Sequence, residues 1–399
     1  MKLFRKIAII TASLLLAMPI SGCSESENES SSISGADSQS SSDASKEQNT
    51  AIVPDAETVK LLGRTYLDDN NTLWLSYSGS GAEFTVTGKR AEITIAGDSS
   101  VSGGSNYARI AIYVDGERVV DDMVDNAEEK YLLFEGEEEK TATVSIVKLS
   151  ECAMSSCGIA KIDVDGTVSP TPEKDLYIEF IGDSITCGYG VDDEDKSHSF
   201  STTTEDVTKA YAYKTAQKLS ADYSMVSISG YGVVSGYTTS GEKVSAQTIP
   251  QYYDKLGFSY NNFNGTKPED IEWSFADNRK PDIIVLNLGT NDSSYCGGSI
   301  EKSEEFAQGY IDFIKQIREN NPDASIVCAF GVMGNSLYQY IEYACVLYTE
   351  ETGDDNVYYV QLAPQDGSLG YAADWHPTEA THEVAAQTVV DFINENVLG

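Results

Sequence analysis

Tyr177-Ile178-Glu179-Phe180-Ile181-Gly182-Asp183-Ser184-Ile185-Thr186 is an apolar run that stops in a turn of small and polar residues. A strand that ends this way holds its serine out past the sheet, where a substrate can reach it. The pattern recurs downstream. Ser227-Ile228-Ser229-Gly230 closes a second strand candidate at 223–229, and Gly289-Thr290-Asn291-Asp292 follows a third at 282–288. Further candidates are 325–331 and 357–362. Segment 303–319 places Phe306, Tyr310, Phe313, Ile314 and Ile317 on one helical face. Segment 378–396 does the same with Val384, Ala385, Thr388, Val389, Phe392 and Ile393. Strands alternating with helices predict an α/β fold with a parallel sheet covered on both faces. Ligands of such sheets bind at the carboxyl ends of the strands, where Ser184 and Asn291 both fall.

Upstream the pattern is different. From Ile52 to about Thr167 short alternating runs such as Glu83-Phe84-Thr85-Val86-Thr87 and Arg109-Ile110-Ala111-Ile112-Tyr113-Val114 are separated by turns such as Asp115-Gly116. They predict an all-β jelly roll or β-sandwich. Ser169-Pro170-Thr171-Pro172 is a stiff linker between the two halves. The expected organisation is therefore a leader over 1–23, a Ser-rich acidic tether over 24–51, a β-domain over 52–168 and an α/β domain over 175–399.

The leader carries Lys2, Arg5 and Lys6 before an apolar stretch from Ile7 to Ile20, too short to span a bilayer comfortably. It ends Ile20-Ser21-Gly22-Cys23, which resembles a bacterial lipoprotein signal. That resemblance implies an exported, surface-anchored protein, lipidated at Cys23 and touching membrane only there. The tether has almost no apolar residues and cannot bury enough surface to fold. The chain as a whole has 63 Asp plus Glu against 27 Lys plus Arg, a formal charge of −36. Such a surface repels nucleic-acid phosphates and fits solubility outside the cell.

Six further cysteines, at 152, 157, 187, 296, 328 and 345, include Cys152 and Cys157, near enough to pair across a turn or to stay free. There is no Cys-x-x-Cys pair or His/Cys cluster, so no metal site is expected.

A nucleophilic serine needs a base, an oxyanion site and something to orient the base. The chain has three histidines. His198 sits in a polar segment and His382 in the last helical pattern, whereas Asp374-Trp375-His376-Pro377 lies between the last strand and last helix, where a loop reaches the strand ends. His376 is the base candidate. Oxyanion donors are the Ser184 N–H, the Gly230 N–H and the Asn291 side-chain amide. Trp375 is a candidate sugar platform beside the base, or else a packing residue. A second Gly-Asp-Ser, at Gly97-Asp98-Ser99, lies among the β-patterns with no helix after it and is read as a turn.

Gly182-Asp183-Ser184-Ile185-Thr186, Gly230, Gly289-Thr290-Asn291-Asp292 and His376 match, in order, the blocks of the SGNH hydrolase superfamily, which the region 175–399 resembles. The front region, with Leu62-Gly63-Arg64 and Ser78-Gly79-Ser80-Gly81-Ala82-Glu83-Phe84, resembles the jelly-roll domain of carbohydrate esterase family 2. The resemblance implies a flavodoxin-like three-layer α/β/α catalytic domain. It also implies a cofactor-free serine esterase removing O-acetyl groups from plant polysaccharides such as acetylxylan and acetyl-glucomannan. One departure stands out. The superfamily places an acid three residues before the histidine, and that position is Ala373; the nearest carboxylate is Asp374. A triad through Asp374 and a Ser184–His376 dyad oriented by a backbone carbonyl both remain open. Alternatives of substrate or class are an esterase for peptidoglycan or exopolysaccharide and a surface glycan-binding lipoprotein without catalysis.

Overall fold

The computed structural model describes residues 50–399. The expected leader, its Cys23 and the tether as far as residue 49 lie outside the described residues. Thr50 and Ala51, expected in the tether, instead open the first strand, because the segment Thr50–Ile52 adds to the free edge of a strand at Ile162–Val164.

The N-terminal strands are β1 (Thr50–Ile52), β2 (Lys60–Leu62), β3 (Thr65–Leu67), β4 (Leu73–Leu75), β5 (Gly81–Gly97), β6 (Ala108–Val114), β7 (Glu117–Val124), β8 (Glu128–Lys148), β9 (Cys157–Val164) and β10 (Thr167–Pro170). They run antiparallel in the order β3-β4-β9-β5-β8-β6-β7, with β1 on β9 and with β2 and β10 on β5. The long strand β5 pairs with the C-terminal half of β8 through Gly88 and with its N-terminal half from Arg90 onward, with bulges at Gly88/Arg90 and Ala91/Glu92. A bulge bends a strand and sharpens its twist, so both halves of β5 bury their alternate side chains in one core: Phe84 and Val86 before the bulges, Ile93 and Ile95 after them.

The C-terminal half carries β11 (Tyr177–Gly182), β12 (Asp222–Ser227), β13 (Ile283–Asn287), β14 (Ser325–Phe330) and β15 (Val357–Gln361), all parallel, in the order β12-β11-β13-β14-β15. That is a flavodoxin-like order, whose switch point lies beside β11. Its helices are α1 (Ser184–Cys187), α2 (Tyr211–Lys218), α3 (Thr290–Cys296), α4 (Ile300–Asn320), α5 (Tyr338–Thr352) and α6 (Glu379–Ile393). Helices α4 and α5 pack on one face of the sheet, where Phe306, Phe313 and Ile341 join Ile284 and Leu286. Helices α2 and α6 pack on the other, where Ala212, Ala216 and Val389 join Ile178 and Phe180.

All six cysteines of the described residues are free and buried. Cys152 and Cys157 are kept apart because they serve different cores: Cys157 lies inside the β-domain, whereas the Cys152 thiol donates to the Ser227 carbonyl, 3.6 Å away, under the parallel sheet. Gly97-Asp98-Ser99 is a turn: Asp98 caps a single 3₁₀ turn by accepting from the Ser100 N–H at 2.9 Å.

The two halves are joined by buried polar contacts. Arg64, fully buried, reaches from the β-domain and donates to the carbonyls of Tyr253 (2.5 Å) and Lys255 (3.0 Å) and to the Glu179 carboxylate on β11 (3.3 Å). Its guanidinium also lies over the rings of Tyr253, Trp273 and Phe275. Removing one member of a buried ion pair strands the other charge, at a cost of about 3–5 kcal/mol. Arg64→Ala is therefore expected to destabilise the protein by that amount in urea unfolding, with part recovered by adding Glu179→Gln. A loss below about 1 kcal/mol, the range of exposed pairs, would remove this link from the fold.

Candidate active site

Three strand ends converge beside the switch point. Ser184 is the first residue of α1, immediately after β11. Asp183 caps that short helix by accepting from the Ile185 N–H at 3.0 Å. Gly182 is required by packing, since a side chain there would meet the Thr186 hydroxyl at 2.0 Å. At the end of β12, Gly230 adopts φ +82, a left-handed backbone that costs glycine least, and a Cβ there would face open space. Asn291 is the second residue of α3, just past the end of β13.

His376 arrives from the loop after β15, at the end of a 3₁₀ turn over Ala373–Trp375. Its Nε2 lies 2.9 Å from Ser184 Oγ. Its Nδ1 lies 3.2 Å from the Ala373 carbonyl and 3.1 Å from the Asp374 carbonyl. Carbonyl oxygens only accept, so Nδ1 carries the proton and the Nε2 lone pair faces the serine hydroxyl. Burial pushes the imidazole down to about 4, outweighing the opposing pull of Asp374 and of the two carbonyls. The Tyr189 ring stacks on the imidazole, centroids 3.8 Å apart, and closes its other side.

Of the two arrangements the sequence left open, the structure has backbone carbonyls at Nδ1, and the Asp374 carboxylate named as a candidate triad member does not reach the ring nitrogen. Asp374 adopts φ +50 and Trp375 φ +64, so two consecutive residues in left-handed backbone turn the Asp374 side chain outward. Its Oδ2 accepts from the Tyr189 hydroxyl at 3.3 Å, while its backbone carbonyl faces His376. The two-residue spacing carries the reason: the turn that brings the carbonyls of residues 373 and 374 to Nδ1 points the intervening side chain away. Neither remaining histidine hydrogen-bonds to Ser184. His198 is exposed and paired with Asp193, and His382 is buried, accepts from the Tyr211 N–H and is pushed by burial to about 3.

The N–H groups of Ser184 and Gly230 donate to no acceptor among the described residues and are free for an incoming oxygen. Asn291 is more constrained than expected: its amide donates to the Tyr231 carbonyl at 2.8 Å and to Asp183 Oδ2 at 3.2 Å. Burial, together with the nearby Asp292, pushes Asp183 up to about 7. Asp292, pushed by burial to about 6, accepts from the N–H groups of Val233, Val234 and Ser235 and so pins the loop that follows Gly230. The sequence marked Asp292 only as part of the block 289–292, not its partners, which lie in a segment 57 to 59 residues away.

Trp375 is 51% exposed next to the base, with the Lys196 ammonium 3.9 Å above its ring and Tyr371 against it. It is thus a surface aromatic beside the site rather than a core residue. In the cluster around Ser184, acceptor, nucleophile and free donors are all protein groups, arranged as acyl transfer to a serine requires.

The GDSL-like lipase/acylhydrolase family model matches residues 180–384, and that of the carbohydrate esterase 2 N-terminal domain matches residues 61–172. A cellulase/esterase of Acetivibrio thermocellus is 32% identical over 354 residues, covering 87% of this chain. The chain spans 40% of the length of that relative. An acetylxylan esterase/glucomannan deacetylase of Cellvibrio japonicus is 24% identical over 349 residues, covering 84% of this chain and 88% of that one. Among solved structures, an acetyl xylan esterase from the rumen bacterium Butyrivibrio proteoclasticus matches with a TM-score of 0.77 at 25% identity, covering 88% of this chain and 98% of that chain. A family two carbohydrate esterase from Clostridium thermocellum, in complex with cellohexaose, matches with a TM-score of 0.72 at 29% identity, covering 84% of this chain and 98% of that chain.

Two outcomes are expected at this site. A base acts only when deprotonated, so activity falls as pH drops through the folded value of His376. The acid limb of kcat/KM should lie near pH 4, well below the ~6.5 of an unperturbed histidine. Protonating Asp183 near neutrality leaves an oxygen that still accepts from Asn291. An acid limb near 6.5 would show that the imidazole is not held in this buried state. Second, Asp374→Asn keeps the backbone carbonyl and tolerates left-handed φ, so it should lower kcat less than about tenfold, against at least about 1000-fold for His376→Ala. Equal losses would restore the carboxylate to the triad.

Proposed function

We propose, from the premise that this chain belongs to the GDSL-like lipase/acylhydrolase family, that it is a serine esterase removing O-acetyl groups from plant cell-wall polysaccharides such as acetylxylan and acetyl-glucomannan. The observation that carries the reading is the 2.9 Å contact of Ser184 Oγ with a neutral His376 whose Nδ1–H is bound by two carbonyls.

Ser184 Oγ attacks the acetyl carbonyl as His376 Nε2 takes its proton. Charge grows on the carbonyl oxygen, and the Ser184 and Gly230 N–H groups, already without acceptors, stabilise it. Asn291 joins them by exchanging its longer bond, to Asp183, for the oxyanion; Asp183 and the Tyr231 carbonyl keep the amide aimed until then. Loss of one such donor typically slows a reaction on the order of 100- to 1000-fold. His376 returns the proton to the departing sugar hydroxyl, and water then releases acetate from the acetyl-Ser184 ester by the reverse sequence. Ser184, His376, Gly230 and Asn291 supply the nucleophile, the base and the oxyanion donors in these steps.

The substrate class is supported by the names of the relatives and by the cellohexaose in the Clostridium thermocellum structure. Trp375, exposed beside the base, offers an apolar face on which a sugar ring can stack. The same reading makes the chain an exported lipoprotein anchored through Cys23, supported by the basic and apolar leader that precedes that cysteine. Acylation of the wild type but not of Cys23→Ser under fatty-acid labelling tests this second point.

The test of function is acetate release from acetylated xylan and glucomannan by residues 50–399, beside Ser184→Ala. Release by the parent and none by the variant is expected. If only small chromogenic acetates are cleaved, the esterase survives and the polysaccharide does not. If no ester is cleaved, the protein is a glycan-binding one.

A further inference from the structure

The connection between β8 and β9, residues 149–156, leaves the β-domain and runs beneath the strand ends of the parallel sheet, with Leu149, Ser150, Glu151, Cys152 and Ser155 all buried. Glu151 is 1% exposed, and its Oε2 accepts from the Ser229 N–H at 2.8 Å. Ser229 immediately precedes Gly230. Two further contacts fix the same segment from below: the Cys152 thiol on the Ser227 carbonyl, and the Cys187 thiol, at 3.2 Å, on the Ser227 hydroxyl. On the far side, the Gly230 carbonyl accepts from the Tyr237 N–H at 2.8 Å. The Ser229–Gly230 peptide, whose N–H belongs to Gly230, is thus held between one anchor from the β-domain and one from its own loop.

Glu151 is itself held. Its backbone N–H donates to Glu205 Oε2 at 2.8 Å, and its carbonyl accepts from the Lys148 ammonium at 2.9 Å. Glu205 sits in the segment that follows α1, and the β-domain grips that segment through Arg109 to Asp192 and Arg118 to Asp206 at 2.7 and 2.8 Å. A buried carboxylate is costly to keep unless its lone pairs are met by donors. Burial pushes the Glu151 carboxyl up. The Ser229 N–H, placed where nothing else accepts it, offsets part of that cost together with the Cys187 thiol, 4.0 Å from the same oxygen, so the acceptor and the loop position stabilise each other.

We infer that Glu151 is a positioning residue for the oxyanion site: the β-domain supplies, through this carboxylate, the acceptor that aims the Gly230 N–H. The inference deepens the esterase reading and rests on it for its catalytic consequence. It also assigns the β-domain a part in the chemistry, separate from any glycan contact it makes.

The test compares the parent with Glu151→Ala, Glu151→Gln and Glu151→Asp in residues 50–399. Two readouts are used: 4-nitrophenyl acetate kinetics and amide hydrogen exchange of the peptide spanning 227–231. The alanine variant should lose about 100-fold in kcat with KM changed less than about threefold, because the group acts on the oxyanion rather than on ground-state binding. Its 227–231 amides should exchange faster. Glutamine retains an acceptor oxygen at the same reach and should recover most of the loss, whereas aspartate, one methylene shorter, should not. Should the alanine variant not fold, the aspartate and glutamine pair carries the comparison. An alanine variant with parental kcat overturns the inference, and so does a loss carried by KM alone. If the parent cleaves no ester, the esterase reading has failed, and the exchange data decide this one: unchanged exchange in Glu151→Ala overturns the positioning role, and faster exchange with rescue by glutamine supports it.

Discussion

The hydrogen bond between Ser184 Oγ and His376 Nε2 joins residues 192 positions apart. It forms only because a parallel sheet delivers every βα loop to the same edge. Ser184 stands at the end of β11, the central strand of the switch point, and His376 must cross from beyond β15 to meet it. The rest of the site serves that one contact. Tyr189 covers the imidazole, the turn at 373–375 supplies two carbonyls to Nδ1, and burial holds the ring neutral so that its lone pair faces the hydroxyl.

A carbonyl in place of a carboxylate changes what the site asks of its surroundings. An aspartate on Nδ1 would stabilise the imidazolium that forms when the serine is deprotonated. Two carbonyl dipoles orient the ring as well but stabilise that charge less. Asp374, turned outward to Tyr189, still lies near enough to favour the charged ring. More of the stabilisation in the transition state then falls to the oxyanion donors, which gives the anchoring of the 227–235 segment its weight. That segment is held at both ends by carboxylates from distant parts of the chain, Glu151 at Ser229 and Asp292 at residues 233–235.

The β-domain and the α/β domain are not two independent bodies joined by a linker. Arg64 carries a buried charge from one into the other, and the 149–156 connection lies under the strand ends of the second. The alternation pattern shows a β-domain but not what it touches; the buried contacts of Arg64, Glu151 and Cys152 place it against the α/β domain.

Much was legible without coordinates. The strand periodicities, the small-residue turns at Ser184 and Asn291, and the last histidine before a terminal helix are local patterns, and local patterns determine which segment is a strand and which loop follows it. They marked Ser184, Gly230, Asn291 and His376 because each sits next to an element boundary that composition alone draws. What they could not determine was direction. The Asp374 side chain and carbonyl leave the same residue, and which of them meets His376 depends on two left-handed backbone angles that the sequence Ala-Asp-Trp-His does not encode by itself. Glu151 was invisible for a related reason. Its only hint was an acid among small buried residues, Ser150-Glu151-Cys152-Ala153, and its partner Ser229 lies 78 residues away. Contacts at that range are decided by how one domain packs against the other, and only the folded chain contains that information.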